Sequence, residues 1–389
     1  SYARLRHNDR ITNNETIMTN WTPAKRKIPH KLFYGAVEMI GGRIEDYDRI
    51  TDLEKRHRKA VLHSKYFPAF TSFLKKHTPD VIFNTHQRAI TAIPAITAAQ
   101  ELGIKTVTAI YSWDNLPKAR LATRTDRYFV WSDYMKDEMG FYYPEIDQQD
   151  VIVTGTPQFD FYRHESLYMD KESFYNQYGL DINKKTICFS GDDRKTSPYD
   201  PQYLADLAEA LMKIDENRRP QILFRRCPAD FSDRYDAVLS RYKEIIKVAD
   251  PLWKSDKKTD SWNLFYPSFD DVKLLVNIAK HCDLVYNVGS TMAHDFAMFD
   301  KPAAYINYDQ PESRNWSVKT IYAFQHFRSM EGLDAVVWID SKNDIAPKVL
   351  QAVESPQHVA PDRKKWLEVV TDGKTDVGKG IAESLVSGL

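Results

Sequence analysis

The stretch CDLVYNVGSTMAHDFAMFDKPAAYINYD, residues 282 to 309, packs a strand, a tight turn, a helix and a second strand into one short segment. DLVYN reads as a buried strand ending at Asn287, and the turn Gly289-Ser290-Thr291 follows it. Met292, Phe296 and Phe299 then recur at helical spacing, and Lys301-Pro302 lead into the next strand, PAAYIN. A strand feeding a helix and then another strand is the unit from which parallel sheets are built. The start of such a helix offers unpaired backbone N–H groups and the positive end of its dipole. The hydroxyls of Ser290 and Thr291 add donors, so the turn suits a phosphate. Asp295 lies about one turn further in, where a carboxylate accepts hydrogen bonds from ribose hydroxyls. The plainer alternative makes Ser290 an ordinary N-cap and Asp295 a solvated helix residue.

The same alternation extends outward in both directions. TICFS (186–190), QILFR (221–225), EIIKVA (244–249) and AVVWI (335–339) are β-rich runs, and apolar residues recur at helical spacing between several of them, as in Leu204, Leu207, Ala208 and Leu211. With DLVYN and PAAYIN they predict a parallel sheet of about six strands. Upstream, DVIFN (80–84), KTVTAIY (105–111), RYFVW (127–131) and VIVTG (151–155) predict a separate sheet of the same kind. The division expected is an N-terminal domain over 1–163, a second domain over 164–370 and a closing helix over 371–389. Ligands of paired open α/β domains bind at the carboxyl ends of the strands.

Composition agrees with two packed domains. The chain has 389 residues, too many for one ordinary core, and 42% of them are apolar, which excludes global disorder. The 54 Lys and Arg residues balance 54 Asp and Glu, so no nucleic-acid partner is expected. Cys188, Cys227 and Cys282 are scattered, with no metal-ligand spacing, and fit a reducing, cytoplasmic setting. No run is long and apolar enough to span a bilayer. Ser1 to Lys31 carries seven Lys or Arg against Asp9 and Glu15. It reads as a solvated irregular arm, a membrane-facing patch or a partner anchor, and its start at Ser1 without an initiator Met leads us to expect a trimmed chain. Elbow, Walker, zincin and dinucleotide motifs are absent.

The order strand, Gly-Ser-Thr, DFAMFDKP and YINYD resembles the donor-site region of bacterial GT-B glycosyltransferases and of the CDP-glycerol (polyol-phosphate) transferases of wall and capsule synthesis. DGKTDVGKGI at 372–381, VTGTPQFD at 153–160 and YSWDNLPK at 111–118 resemble further parts of that group. The resemblance implies two Rossmann-like α/β domains facing each other across a cleft, with a nucleotide-sugar donor held by the C-terminal domain and a glycan or lipid-linked acceptor by the N-terminal one. Donor contacts then fall on Gly191 in SGDDRKTS, Arg225, Arg226, Gly289, Ser290, Thr291 and Asp295, with His294 beside the helix or against the donor. Phe224-Arg225-Arg226-Cys227-Pro228 lacks the histidine that polyol-phosphate transferases carry there, and its arginines read either as a diphosphate clamp or as salt-bridged surface groups.

An inverting transferase needs a base for the acceptor hydroxyl. His86 and Asp114, each after a predicted strand, are the candidates, with structural roles as the alternative. Asp46-Tyr47-Asp48 follows no nucleotide-binding strand, so neither a metal nor a cofactor is expected. The expected function is sugar transfer from a nucleotide donor to a hydroxyl acceptor in surface polysaccharide synthesis. The protein is expected in the cytoplasm, with peripheral membrane contact through the basic arm. Alternatives are a CDP-linked polyol-phosphate transferase, a nucleotide-sugar 2-epimerase and, in a different class, a non-catalytic nucleotide- or carbohydrate-binding module.

Overall fold

The computed structural model describes residues 1–23, 27–119, 121–255 and 265–387. The chain divides into two compact units, one of Ser1–Pro157, Ala323–Ser329 and Val369–Leu389, the other of Gln158–Tyr322 and Met330–Glu368.

The first unit opens with four helices: α1 (Tyr2–Thr12), α2 (Ile28–Gly42), α3 (Tyr47–Leu62) and α4 (Phe67–His77). The basic arm is therefore not an irregular solvated segment. Ala3, Arg4, Leu5 and Asn8 of α1 are buried, and the Arg4 guanidinium donates to both carboxylate oxygens of Glu54 at 2.8 and 2.7 Å. Arg124 shares Glu54 and adds Glu145. A buried arginine needs this many acceptors, and they lie far away in sequence, which is why the arm looked solvated from composition alone.

The alternating region then gives β1 (Val81–Asn84), α5 (Ile93–Glu101), β2 (Lys105–Ala109), β3 (Arg127–Val130), α6 (Asp133–Tyr142) and β4 (Val151–Val153). The sheet runs β1-β2-β3-β4, parallel throughout, with Val81 opposite Lys105, Val107 opposite Arg127 and Tyr128 opposite Val151. Ser132 starts α6 by accepting the Met135 N–H, and the period Met135, Met139, Tyr142 buries that helix on the sheet side.

The second unit contains α7 (Lys171–Tyr178), β5 (Thr186–Ser190), α8 (Asp200–Met212), β6 (Gln221–Arg225), α9 (Asp236–Arg241), β7 (Ile246–Val248), the antiparallel pair β8 (Trp253–Ser255) and β9 (Phe265–Pro267), and α10 (Phe269–His281). It continues with β10 (Leu284–Asn287), α11 (Met292–Ala297), β11 (Ala303–Ile306), α12 (Val318–Tyr322), β12 (Val337–Ile339), α13 (Ile345–Glu354) and the first six residues of α14 (Arg363–Thr371), whose last three belong to the first unit. Its main sheet has six parallel strands in the order β12-β11-β10-β5-β6-β7. Helices lie between consecutive strands, so the central strands are buried on both faces and read as continuous apolar runs; Ile187, Cys188, Phe189, Leu223, Phe224, Val285 and Tyr286 are fully buried. All three cysteines are buried and free.

The last helix, α15 (Val377–Ser387), belongs to the first unit. Gly155 after β4 has φ +80, and a Cβ there would meet Val377 Cγ2 at 2.9 Å, so glycine is what lets the final segment approach. Lys374 Nζ donates to the Val153 carbonyl beside it. Among the described residues no helix is long and apolar enough to cross a membrane, and no group of three or more His, Cys, Asp or Glu is placed to hold a metal ion. Asp46 is the N-cap of α3, its carboxylate accepting from the Asp48 N–H.

Candidate functional site

Strand order locates the site in the second unit. From β5 the chain adds β6 and β7 on one side, then returns to add β10, β11 and β12 on the other, so the winding reverses between β5 and β10. Loops leaving the two strands at such a reversal diverge to opposite faces of the sheet and leave a crevice at the carboxyl edge. The two loops are Ser190–Tyr199 and Val288–Thr291, and the sequence reading placed its donor residues on both.

At the second loop Gly289 has φ +67, which bends the chain sharply out of β10. The Asn287 carboxamide accepts from the Ser290 N–H at 2.8 Å, and the Ser290 carbonyl accepts from Tyr305 at 2.9 Å. One expected backbone donor is thus engaged within the turn. Ser290 is half-buried and Thr291 exposed, and their hydroxyls remain the side-chain donors at the crevice. The helix they open, α11, is only six residues long, so its dipole is small.

Two expected donor contacts are turned inward. His294 is buried with its ring 4.2 Å from that of Trp366, and Asp295 is 3% exposed and hydrogen-bonded by Tyr162. Burial pushes the Asp295 carboxyl up to about 7, against a hydrogen bond from Tyr162 and the Arg225 charge. As placed, it presents no carboxylate to a ribose. The helical period makes this legible in retrospect: Met292, Asp295 and Phe296 share one face.

Both expected arginine contacts are also committed inside the unit. Arg225 Nη2 donates to the two Asp271 oxygens at 3.0 and 2.9 Å, and both side chains are buried. Leu252 N–H and Trp253 Nε1 complete the Asp271 carboxylate. Arg226 bonds the Ser232 carbonyl at 2.7 Å and lies over the Phe224 and Tyr235 rings. The salt-bridge reading of this arginine pair fits in part: Arg226 pairs with exposed Asp250 at 3.4 Å, while Arg225 is in a salt bridge deep in the core, with its Nη1 lacking a partner among the described residues. The exposed cations nearest the crevice in sequence are Arg194 and Lys195, on the loop after β5.

That loop is rigidly built. A Cβ at Gly191 would meet the Tyr235 hydroxyl at 2.7 Å. Arg234 donates to the carbonyls of Asp192 and Ser197 and to the Asp230 carboxylate, while Asp200 accepts from the Asp192 N–H and the Tyr235 hydroxyl. Burial raises the Asp200 carboxyl to about 6 and the Asp192 carboxyl well above its ordinary range.

In the first unit, the loops after β1 and β2 are stitched together. Gln87 is buried; its Nε2 donates to Asn115 Oδ1 at 2.6 Å and its side-chain Oε1 accepts from the Tyr111 N–H at 2.8 Å. His86 and Asp114 flank this bond. His86 stacks on Tyr111 at 4.4 Å, and its Nδ1 accepts from the Arg88 N–H. That bond places the neutral ring's proton on Nε2, which then donates rather than accepts. Burial and Arg88 keep its pKa below the usual value. Asp114 is paired with Lys118. Burial opposes its ionisation, but Lys118 and His326 overcome that and hold it far below the usual carboxylate range. A carboxylate so stabilised is a weak base.

Sequence reading missed Glu138. It is buried on α6, its Oε2 has no hydrogen-bond partner among the described residues, and burial lifts it to about 8 against the Arg328 charge. In DYMKDEMGFY it looks like one more surface acid, yet it lies on the Met135, Met139, Tyr142 face. Two carboxyls in one neighbourhood, Asp114 ionised and Glu138 protonated near neutral pH, are chemically differentiated as acid–base pairs are.

The chain matches no family model and no curated protein. It is similar in fold to the UDP-GlcNAc 2-epimerase of Neisseria meningitidis bound to UDP-GlcNAc, with TM-score 0.54 and 13% identity, covering 86% of this chain and 81% of that one. A putative UDP-N-acetylglucosamine 2-epimerase of Listeria monocytogenes gives 0.52 and 14%, covering 85% and 79%. A glycosyltransferase of Rickettsia africae ESF-5 gives 0.49 and 11%, covering 85% and 82%. The first two likenesses, with the two parallel sheets, define the class: this chain has the GT-B fold of two Rossmann-like domains.

Proposed function

We propose that the protein is a GT-B glycosyltransferase that takes its sugar from a nucleotide donor and passes it to a hydroxyl group of a glycan or lipid-linked acceptor. The observation that carries this reading is the winding reversal between β5 and β10, with a glycine turn and two hydroxyls at its edge. In the reaction the acceptor oxygen bonds to the anomeric carbon as its proton passes to a base. The bond from that carbon to the donor phosphate breaks, and the nucleotide leaves with the electron pair. Ser290 and Thr291, with Arg194 or Lys195 from the facing loop, meet the charge on the departing phosphate. On the acceptor side His86 donates through Nε2–H, and Asp114, ionised where Glu138 is protonated, is the carboxylate left to receive the proton.

Replacing both Ser290 and Thr291 by alanine is expected to weaken binding of the matching nucleotide about tenfold or more by calorimetry, at about 1.4 kcal/mol per factor of ten. Unchanged affinity across UDP, GDP, CDP and CMP sinks this assignment. The absence of a histidine in Phe224–Pro228 speaks against the polyol-phosphate reaction.

A second reading, nucleotide-sugar 2-epimerisation, is favoured by the Asp114 and Glu138 pair, since inverting C2 requires removing and returning a proton. Incubation with nucleotide sugars in heavy water separates the two. Deuterium at C2 of recovered donor supports epimerisation, whereas acceptor-dependent nucleotide release without exchange supports transfer.

A further inference from the structure

Helix α2 is built inside out. Its sequence, IPHKLFYGAVEMIGG, contains one acid, and its large apolar residues point away from the protein. Ile28, Leu32, Phe33, Met39 and Ile40 are between 56% and 74% exposed. At the helical period these five fall within an arc of about 140°, a stripe as wide as a core-facing helix normally shows. The opposite face holds the helix in place. A Cβ on Gly41 would meet Tyr2 Cδ1 of α1 at 2.8 Å, Tyr34 packs edge-on to Trp21 at 6.1 Å, and Trp21 Nε1 donates to Glu38 at 2.8 Å. Orientation is therefore fixed by a close, glycine-dependent contact, and the apolar stripe has no covering element among the described residues.

From Lys27 to Arg43 the exposed Lys, Arg, Asp and Glu side chains are all cations, and acids return only beyond the C-cap, at Glu45 and Asp46. Lys27 stands at the N-cap and Lys31 in the first turn, Arg43 is the C-cap, and all three are exposed, while Glu38 is half-buried against Trp21. In the sequence Lys25 and Arg26 immediately precede them. We propose that α2 lies in the plane of an anionic lipid bilayer surface, its apolar stripe among the acyl chains and its flanking cations at the headgroups. An apolar stripe wins binding by leaving water, and cations at its ends meet phosphates at the depth where lysine and arginine stems reach. A second copy of the chain fits worse. Paired in parallel, two helices would set lysine against lysine, and paired antiparallel they would set the same lysines toward an end that carries Arg43 as well as the acids Glu45 and Asp46, so a second copy offers no consistent charge match, whereas an anionic surface meets Lys27 and Lys31 directly. This surface lies outside the residues assigned to nucleotide binding, so it stands or falls separately from the proposed reaction.

The test uses the full chain, since removing residues 1 to 31 would also delete the buried Arg4 and Leu5 of α1. Sedimentation with phosphatidylcholine vesicles containing about one quarter phosphatidylglycerol is expected to show binding roughly tenfold tighter or more than with phosphatidylcholine alone. Leu32→Ser with Phe33→Ser should abolish binding while leaving nucleotide affinity unchanged. Lys27→Ala with Lys31→Ala and Arg43→Ala should lose about tenfold to a hundredfold on the anionic vesicles only. A Phe33→Trp chain supplies a readout that does not rest on loss: its emission should shift to the blue when anionic vesicles are added. Failure of the wild-type chain to sediment with anionic vesicles overturns the proposal. So does a dimer seen by light scattering that the Leu32 and Phe33 substitutions dissociate.

Discussion

Asp295 shows how much a single burial changes. Its ordinary carboxyl value is 3.8 and in the folded chain it is pushed up to about 7, chiefly by burial. Between those values the folded form keeps a proton that the unfolded chain has released. The folded state then binds more protons, so stability falls as pH rises from about 4 to about 7 and levels off above. Asp295→Asn keeps the volume and removes the titration. Urea unfolding at pH 4.5 and 7.5 should show the wild-type difference shrinking in the variant by an amount on the order of a few kcal/mol. A difference that does not shrink refutes the assignment, because Asp192, Asp200 and Glu138 are still present in the variant and contribute with the same sign. The sequence named Asp295 through the turn that precedes it, and there it was right about position in the chain. It could not show that Tyr162 would reach the carboxyl, since that residue comes from more than a hundred positions earlier.

Elements were more legible than side-chain roles. All six strands of the second sheet coincide with β-rich runs; the four inner ones, β5, β6, β10 and β11, are buried along their whole length and so read as nearly continuous apolar runs. Helices α1 and α2 escaped notice for the converse reason: α1 buries an arginine, and α2 exposes its apolar face, so neither obeys the usual amphipathic rule. The loop from β5 to α8 was expected to contact the donor through Gly191, and the structure shows it held by Arg234. That guanidinium reaches the carbonyls of Asp192, Ser197 and Pro198, the Asp230 carboxylate and the Tyr235 hydroxyl. Its planar fork carries five N–H donors against the three of an ammonium, and reaches acceptors spread too widely for one ammonium to match them all. Arg234→Met should therefore destabilise the protein by about 3 to 5 kcal/mol in urea unfolding, since it strands buried acceptors, and Arg234→Lys should restore less than half of that. A loss below about 1 kcal/mol would show the loop to be held by its own backbone turns instead.

At the scale of the molecule, chain order and compact units do not coincide. Residues Ala323–Ser329 and Val369–Leu389 leave the second unit to join the first, bringing His326 beside Asp114 and Trp113 and Arg328 within the field of Glu138. Balanced net charge thus conceals charges that are sorted locally: Asp114 is answered by Lys118 within its own loop, and Glu138 by the Arg328 charge from a distant segment. The final segment closes the first sheet at β4, where Ile152, Val153 and Thr154 share a groove with Gly373, Lys374 and Val377. A chain ending at residue 368 keeps every strand of both sheets but loses that cover, exposing Val377's partner surface around Gly155 and freeing the Val153 carbonyl that Lys374 caps. Hydrogen exchange should then rise selectively. Amides of β3 and β4 are expected to lose protection by about tenfold to a hundredfold, equivalent to about 1 to 3 kcal/mol of local stability, while those of β5, β6 and β10 stay within about threefold of the full chain. Equal loss in both sheets would mean that the last helix supports the fold as a whole, and no loss in β4 would mean that its contacts there add nothing. The selective outcome follows from the packing at the end of β4: a Cβ on Gly155 would meet the Val377 side chain at 2.9 Å and Lys374 Cβ at 3.3 Å, so the last segment is seated on this strand end.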